Sequence, residues 1–168
     1  MDQSELRSLQ APIKERYREA PDSAVVTLKA RGSLGEGIAC KVETGRALAI
    51  AGLHPASGGS GLELCSGDML LEALVACAGV TLKAVATALS INLRNADILA
   101  EGDLDFRGTL GVAKDAPVGL RDIRLTFKLD TDAAPDAVDK LISLTERYCV
   151  VLQTLQVRPN ISVTALRE

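Results

Sequence analysis

Four cysteines and a single histidine, His54, carry most of the nucleophilic chemistry open to this chain. Two of the thiols stand out by their settings. Cys77 lies inside a long and almost wholly apolar run over residues 69–89, and Cys149 closes Glu146-Arg147-Tyr148-Cys149 about seventy residues later. Neither belongs to a CxxC pair, and neither has a histidine nearby in sequence. Brought together by a fold, two such thiols can make and break a disulfide. Kept apart in an apolar core, they hold their protons and behave as small hydrophobes. One histidine and no clustered ligand residues argue against a zinc site, so no metal is expected.

The segment around Cys77 reads as a helix starting at Ser66 or Asp68, either of which can cap it. On a helical wheel Glu72 and Lys83 lie about 20° apart, and Thr87 falls within about 60° of Lys83, so the polar stripe is narrow. Cys77 sits about 140° from Glu72, on the side expected to be buried, with Ala73, Leu74, Val80 and Thr81 as its nearest helical neighbours. Glu72 and Lys83 would each be costly in a bilayer, so a core helix is favoured over a membrane span. Further on, Pro135 marks a helix start, and Val138 and Ile142 each fall within about 20° of Cys149 on the wheel. If that helix runs straight, Cys149 faces the core. The β-branched crowding after Tyr148 offers a break instead, and a restart would put Cys149 at a helix N-terminus, where the dipole favours thiolate.

Around these two helices the pattern predicts a helix over residues 4–18, broken or kinked by Pro12, and a turn at Pro21-Asp22. Strands are expected over 24–30, 38–43 and 47–52, with a loop at Gly32, Gly35 and Gly37 and a hairpin turn at Thr44-Gly45-Arg46. Two more strands are expected over 98–110 and 123–129, the second with Ile123, Leu125, Phe127 and Leu129 inward, and a last one over 161–166. Cys40 reads as a strand-core residue. Cys65, just ahead of the central helix, reads as structural or incidental, with some activation by the helix N-terminus as the alternative. Helices segregated from antiparallel strands place the chain in the α+β class, as one domain over 1–168 with 1–20 as a helical extension.

Composition narrows the function. Aromatic residues are 2% of the chain and net charge is -3, so stacking platforms and a cationic face for nucleic acid or anionic lipid are both lacking. The opening stretch has no apolar core of signal-peptide type, so a cytoplasmic protein with reduced thiols is expected.

The run Gly58-Gly59-Ser60-Gly61, followed by Asp68-Met69-Leu70-Leu71-Glu72-Ala73-Leu74-Val75-Ala76-Cys77, resembles the signature of the OsmC/Ohr family of thiol-dependent organic hydroperoxide reductases. Glu146-Arg147-Tyr148-Cys149-Val150-Val151-Leu152-Gln153-Thr154-Leu155 is similar to that family's second cysteine motif, and 11–19 resembles the helical extension of one branch. Two departures are visible. Proline usually follows the family's second cysteine, where this chain has Val150, and the family glutamate ten residues before the first cysteine is replaced by Gly67. Asp68 stands one position later and would project about 180° from Cys77.

The resemblance implies an intertwined homodimer, with antiparallel sheets around long buried central helices and sites at the subunit interface. It implies that Cys77 is the peroxidatic thiol, that Cys149 resolves its sulfenic acid, and that an arginine activates the pair. Arg31 is the nearest match to that arginine, with Arg46 and Arg147 as alternatives. The substrate would be an organic hydroperoxide and the reductant an external dithiol, with no cofactor. Two other readings stay open: a non-catalytic OsmC-like protein that binds a small apolar ligand or serves a structural role, and a sulfur-handling activity on the same scaffold.

Overall fold

The computed structural model describes residues 2–25, 27, 31–34, 39–43, 48–111 and 113–167, and of Pro21, Ser23 and residues 31–34 and 39–43 the backbone alone. The chain opens with helix α1 (Gln3–Glu19), started by a capping box in which Asp2 and Glu5 exchange backbone and side-chain hydrogen bonds. The helix runs through Pro12 without ending, contrary to the expected break. Capping and the basic residues Arg16 and Arg18 in its last turn favour the helix at both ends. At the other end, Gln3 Nε2 donates to the Ala88 carbonyl at 2.7 Å and so ties α1 to the central helix.

Strands β1 (Arg31–Leu34), β2 (Ala39–Glu43), β3 (Leu48–Gly52) and β4 (Leu64–Cys65) form one sheet in that order. The first three are antiparallel, with Arg31 opposite Glu43 and Cys40 opposite Ala51, and β4 runs parallel to β3. The position of β1 corrects the expected organisation, because Gly32 lies in a strand and not in a loop. Ala24 closes a 3-10 turn (Pro21–Ala24) in place of opening a strand, and the rest of the expected strand at 24–30 falls largely outside the described residues. The hairpin turn expected at Thr44-Gly45-Arg46 lies outside them too.

Two 11-residue strands, β5 (Leu93–Asp103) and β6 (Arg121–Thr131), form a separate antiparallel ribbon with Ile98 opposite Phe127. Its alternation is as the sequence predicts: Ile123, Leu125, Phe127 and Leu129 are half-buried, while Arg124, Thr126 and Lys128 face solvent. The first strand ends before the expected residue 110. Asp105 accepts from the Arg107 N–H at 3.1 Å and starts the short helix α3 (Phe106–Thr109).

The central helix α2 (Ser66–Ala88) spans 23 residues, which by length and composition is enough to cross a membrane. One face of it packs into the core of this fold. Leu74, Ala78, Leu82 and Ala86, spaced by four, form a fully buried stripe facing β5, β6 and helix α4 (Pro135–Tyr148). Burying a leucine of this kind contributes about 1.5–3 kcal/mol. The expected cap is corrected: Cys65 occupies the N-cap position and makes no side-chain bond, while Asp68 sits in the first turn, where the dipole favours a carboxylate. Within one chain the other face stays open, with Val80 73% exposed and Leu70 40% exposed. Helix α5 (Val150–Gln156) follows α4 after a break at Cys149, and Ser66–Ala88 runs against both. The strand expected at 161–166 does not form within the chain. Ile161, Val163 and Leu166 are among the most exposed apolar residues described.

Candidate functional site

The geometry at Cys149 decides what the two thiols can do. The Cys149 N–H still completes α4 by donating to the Thr145 carbonyl at 2.9 Å, but its ψ of 104° turns the chain out of the helix. Its carbonyl then accepts from the Gln153 N–H at 2.9 Å and begins α5. One residue therefore ends one helix and starts the next. Gln153 Nε2 donates back to the Glu146 carbonyl at 2.9 Å and braces the corner, and the buried Thr145 hydroxyl is satisfied by the Leu141 carbonyl at 2.7 Å. The first N–H groups of a helix have no partner inside it. Here they meet the sulfurs.

The Cys77 sulfur receives the N–H groups of Val151 and Val150, the Cys149 S–H and the Thr81 hydroxyl. Burial pushes the Cys77 thiol up, but these four donors favour the charged form more strongly, and the net shift is downward. Cys149 moves the other way. It is fully buried, and burial raises its thiol. The Leu152 and Val151 N–H groups pull it down, while the bond and the charge at Cys77 push it up, leaving it above the ordinary thiol range. The two sulfurs thus form an unequal pair, a more acidic thiol held beside a protonated one.

Aliphatic groups wall the pair. Leu74, Ala78, Ile98, Ala100, Ile123, Leu125, Val151 and Leu152 pack in the same cluster. Cys77 itself is half-buried, and so can be reached from solvent. Its place beside the buried stripe of α2, and not within it, differs from the fully inward position that the wheel suggested.

The candidate arginines are not brought to the pair by the described atoms. Arg31 is the first residue of β1, and its side chain lies outside the described residues, as does Arg46 altogether. Arg147 is exposed, with its guanidinium carbon 5.5 Å from the Tyr148 ring centroid. Cys40 lies in β2, where only the backbone is described. Cys65 is half-buried in a separate cavity of about 200 Å3 lined also by His54, Asp68 and Phe106. Among the described residues, no group of three or more His, Cys, Asp or Glu side chains is placed to hold a metal ion.

The sequence names Thr81 only as a helical neighbour of Cys77, and the donors from α5 not at all. The β-branched crowding after Tyr148 signals the helix break, but only the fold shows that the restarted helix aims its first N–H groups at a residue of another helix.

A family model described as an OsmC-like protein matches residues 59–164. An OsmC-like protein from Mycoplasma pneumoniae is similar in structure, with a TM-score of 0.66 at 18% identity over 78% of this chain and 88% of that one. An organic hydroperoxide resistance protein from Elizabethkingia anophelis matches with a TM-score of 0.64 at 14% identity, over 80% of this chain and 91% of its own. The organic hydroperoxide resistance protein OhrB of Bacillus subtilis matches with a TM-score of 0.53 at 18% identity, over 80% and 94%. No curated protein sequence matches the chain.

Proposed function

This chain belongs to the OsmC-like family, and we propose that within it the protein is a thiol peroxidase for organic hydroperoxides. The observation that carries the proposal is the hydrogen-bonded sulfur pair, in which Cys149 donates its S–H to Cys77 while two backbone N–H groups meet the same sulfur.

In the proposed cycle the Cys77 thiolate attacks the distal oxygen of the hydroperoxide. The O–O bond breaks and the alkoxide leaves, taking a proton to become the alcohol, while Cys77 becomes a sulfenic acid. The Cys149 sulfur then attacks the Cys77 sulfur, forming the disulfide and releasing water. An external dithiol reduces the disulfide and restores both thiols, itself becoming oxidised. The unequal shifts of the two thiols support this division of labour. The more acidic Cys77 is the nucleophile, and Cys149 keeps its proton until the sulfenic acid has formed. The aliphatic wall supports organic over inorganic peroxide, since each methylene buried contributes up to about 0.8 kcal/mol.

The same reading includes a homodimer in a reducing cytoplasm. The homodimer is supported by the open apolar face of α2, by the edges of the β5–β6 ribbon that pair with no other strand among the described residues, and by the exposed apolar residues of 161–166. Arg31 remains the proposed activating arginine, on the resemblance alone.

The test is peroxide consumption by the purified protein with a dithiol, comparing an alkyl hydroperoxide with hydrogen peroxide. Cys77→Ser should abolish consumption, while Cys149→Ser should allow about one equivalent per chain and then stall. A wild-type protein that consumes neither peroxide would sink the proposal in favour of a binding role.

A further inference from the structure

Threonines inside helices have two common side-chain orientations, and in one of them the hydroxyl bonds to the carbonyl four residues back. Thr87 in α2 does so with Lys83 at 2.8 Å, Thr145 in α4 with Leu141 at 2.7 Å, and Thr154 in α5 with Val150 at 2.9 Å. Thr81 departs from this pattern. It lies four residues after Cys77 on the same face of α2, half-buried, and its hydroxyl meets the Cys77 sulfur and not the Cys77 carbonyl. The backbone offers Thr81 the same acceptor that the other three use, so the difference lies in the sulfur beside it.

We propose that Thr81 is a positioning residue for Cys77, holding its sulfur against Cys149 and the start of α5 by donating to it from Cys77's own helix. The N–H groups of Val150 and Val151 reach the sulfur from another helix. Thr81 shares a helix with Cys77 and moves with it. Its hydroxyl therefore keeps a donor on the sulfur whatever the corner does, and sets the direction in which the sulfur meets an incoming oxygen. The consequence for turnover rests on the thiol-peroxidase reading, whereas the effect on the thiol does not.

The experiment follows Cys77 alkylation by iodoacetamide across pH, resolved by peptide mass spectrometry, in the full-length reduced protein. Wild type, Thr81→Val and Thr81→Ser are compared, with peroxide consumption measured beside them. Valine keeps the shape and removes the donor, so the alkylation midpoint should rise by about one pH unit, a roughly tenfold slower reaction near neutrality. Serine restores the donor and should follow wild type. A Thr81→Val profile that superimposes on wild type overturns the proposal. So does a Thr81→Ser profile shifted as far as the valine one, since that would assign the effect to the lost methyl. If Thr81→Val does not fold by circular dichroism, Thr81→Ala takes its place with the same two readings. A wild type that consumes no peroxide, combined with the expected shift, would overturn the peroxidase function and leave Thr81 as the positioning residue.

Discussion

Replacing Val150 with proline separates the fold of the corner from its chemistry. Val150 is the first residue of α5, where proline is well tolerated because that N–H has no partner within the helix. The residue before it, Cys149, already has the extended geometry that a following proline requires, with φ -73° and ψ 104°. Stability should therefore change by no more than about 1 kcal/mol, with a gain favoured by the stiffer unfolded chain. The chemistry should change more. Proline deletes one of the four donors on the Cys77 sulfur. A hydrogen bond to a charged group contributes about 1.5–3 kcal/mol, and sulfur is a weaker acceptor than oxygen, so a loss of about 1 kcal/mol is expected. That is roughly 0.7 of a pH unit upward in the Cys77 midpoint, or about a fivefold drop in thiolate below it. The assay pairs urea denaturation with the pH profile of Cys77 alkylation. An unchanged profile in a folded variant would refute the role given to the Val150 N–H. A variant that fails to fold would refute its assignment as a free first-turn donor.

Leu74→Ala should destabilise by about 2–5 kcal/mol in urea, because Leu74 is fully buried in the cluster that also holds Cys149. A cost below 1 kcal/mol would mean that α2 is not seated as described. Gly59→Ala should destabilise by roughly 1–3 kcal/mol, since a Cβ there overlaps the Leu53 carbonyl and forces the loop ahead of β4 to shift. A thermal melt that matches wild type would count against the loop geometry. Asp105 is held down at about 2 by the Arg107 side chain, which bonds its carboxylate. Its folded value is below its unfolded one, so its contribution is present above the ordinary carboxylate range and fades as pH falls towards about 2. Asp105→Asn should accordingly narrow its stability gap to wild type between pH 5 and pH 2, in the sense given by linkage, and a constant gap in acid melts would contradict it. Light scattering at micromolar concentration should give twice the mass of one chain, and a stable monomer would sink the homodimer.

The amphipathic elements were the readable ones. Ile123 to Leu129 alternate in the structure as in the sequence, because a half-buried ribbon imposes a period of two on its own residues. Pro135 opens α4, and the chain turns at Cys149, where β-branched side chains crowd the backbone. What local pattern could not supply was contact between elements distant in sequence. Gly32 looks like a loop residue until Val42 lies opposite it across a strand pair. Residues 161–166 have the alternation of a strand but stay exposed and form none. The two sulfurs were legible as candidates from their settings. That their shared donors are backbone groups of α5 was not, since an N–H has no sequence signature.

The corner at Cys149 also limits what oxidation could report. Its thiol already interacts with that of Cys77, so closing a disulfide of about 2.05 Å joins two groups that are partners at rest. Neither α4 nor α5 has to unwind, and the brace from Gln153 to Glu146 can persist. The molecular outline would be nearly the same in both redox states. A protein built this way is well suited to consuming an oxidant and poorly suited to announcing one. The trace of its redox state would be confined to the amide protons of Val150 and Val151, which lose a charged acceptor when the bond forms and exchange with water faster until it is broken.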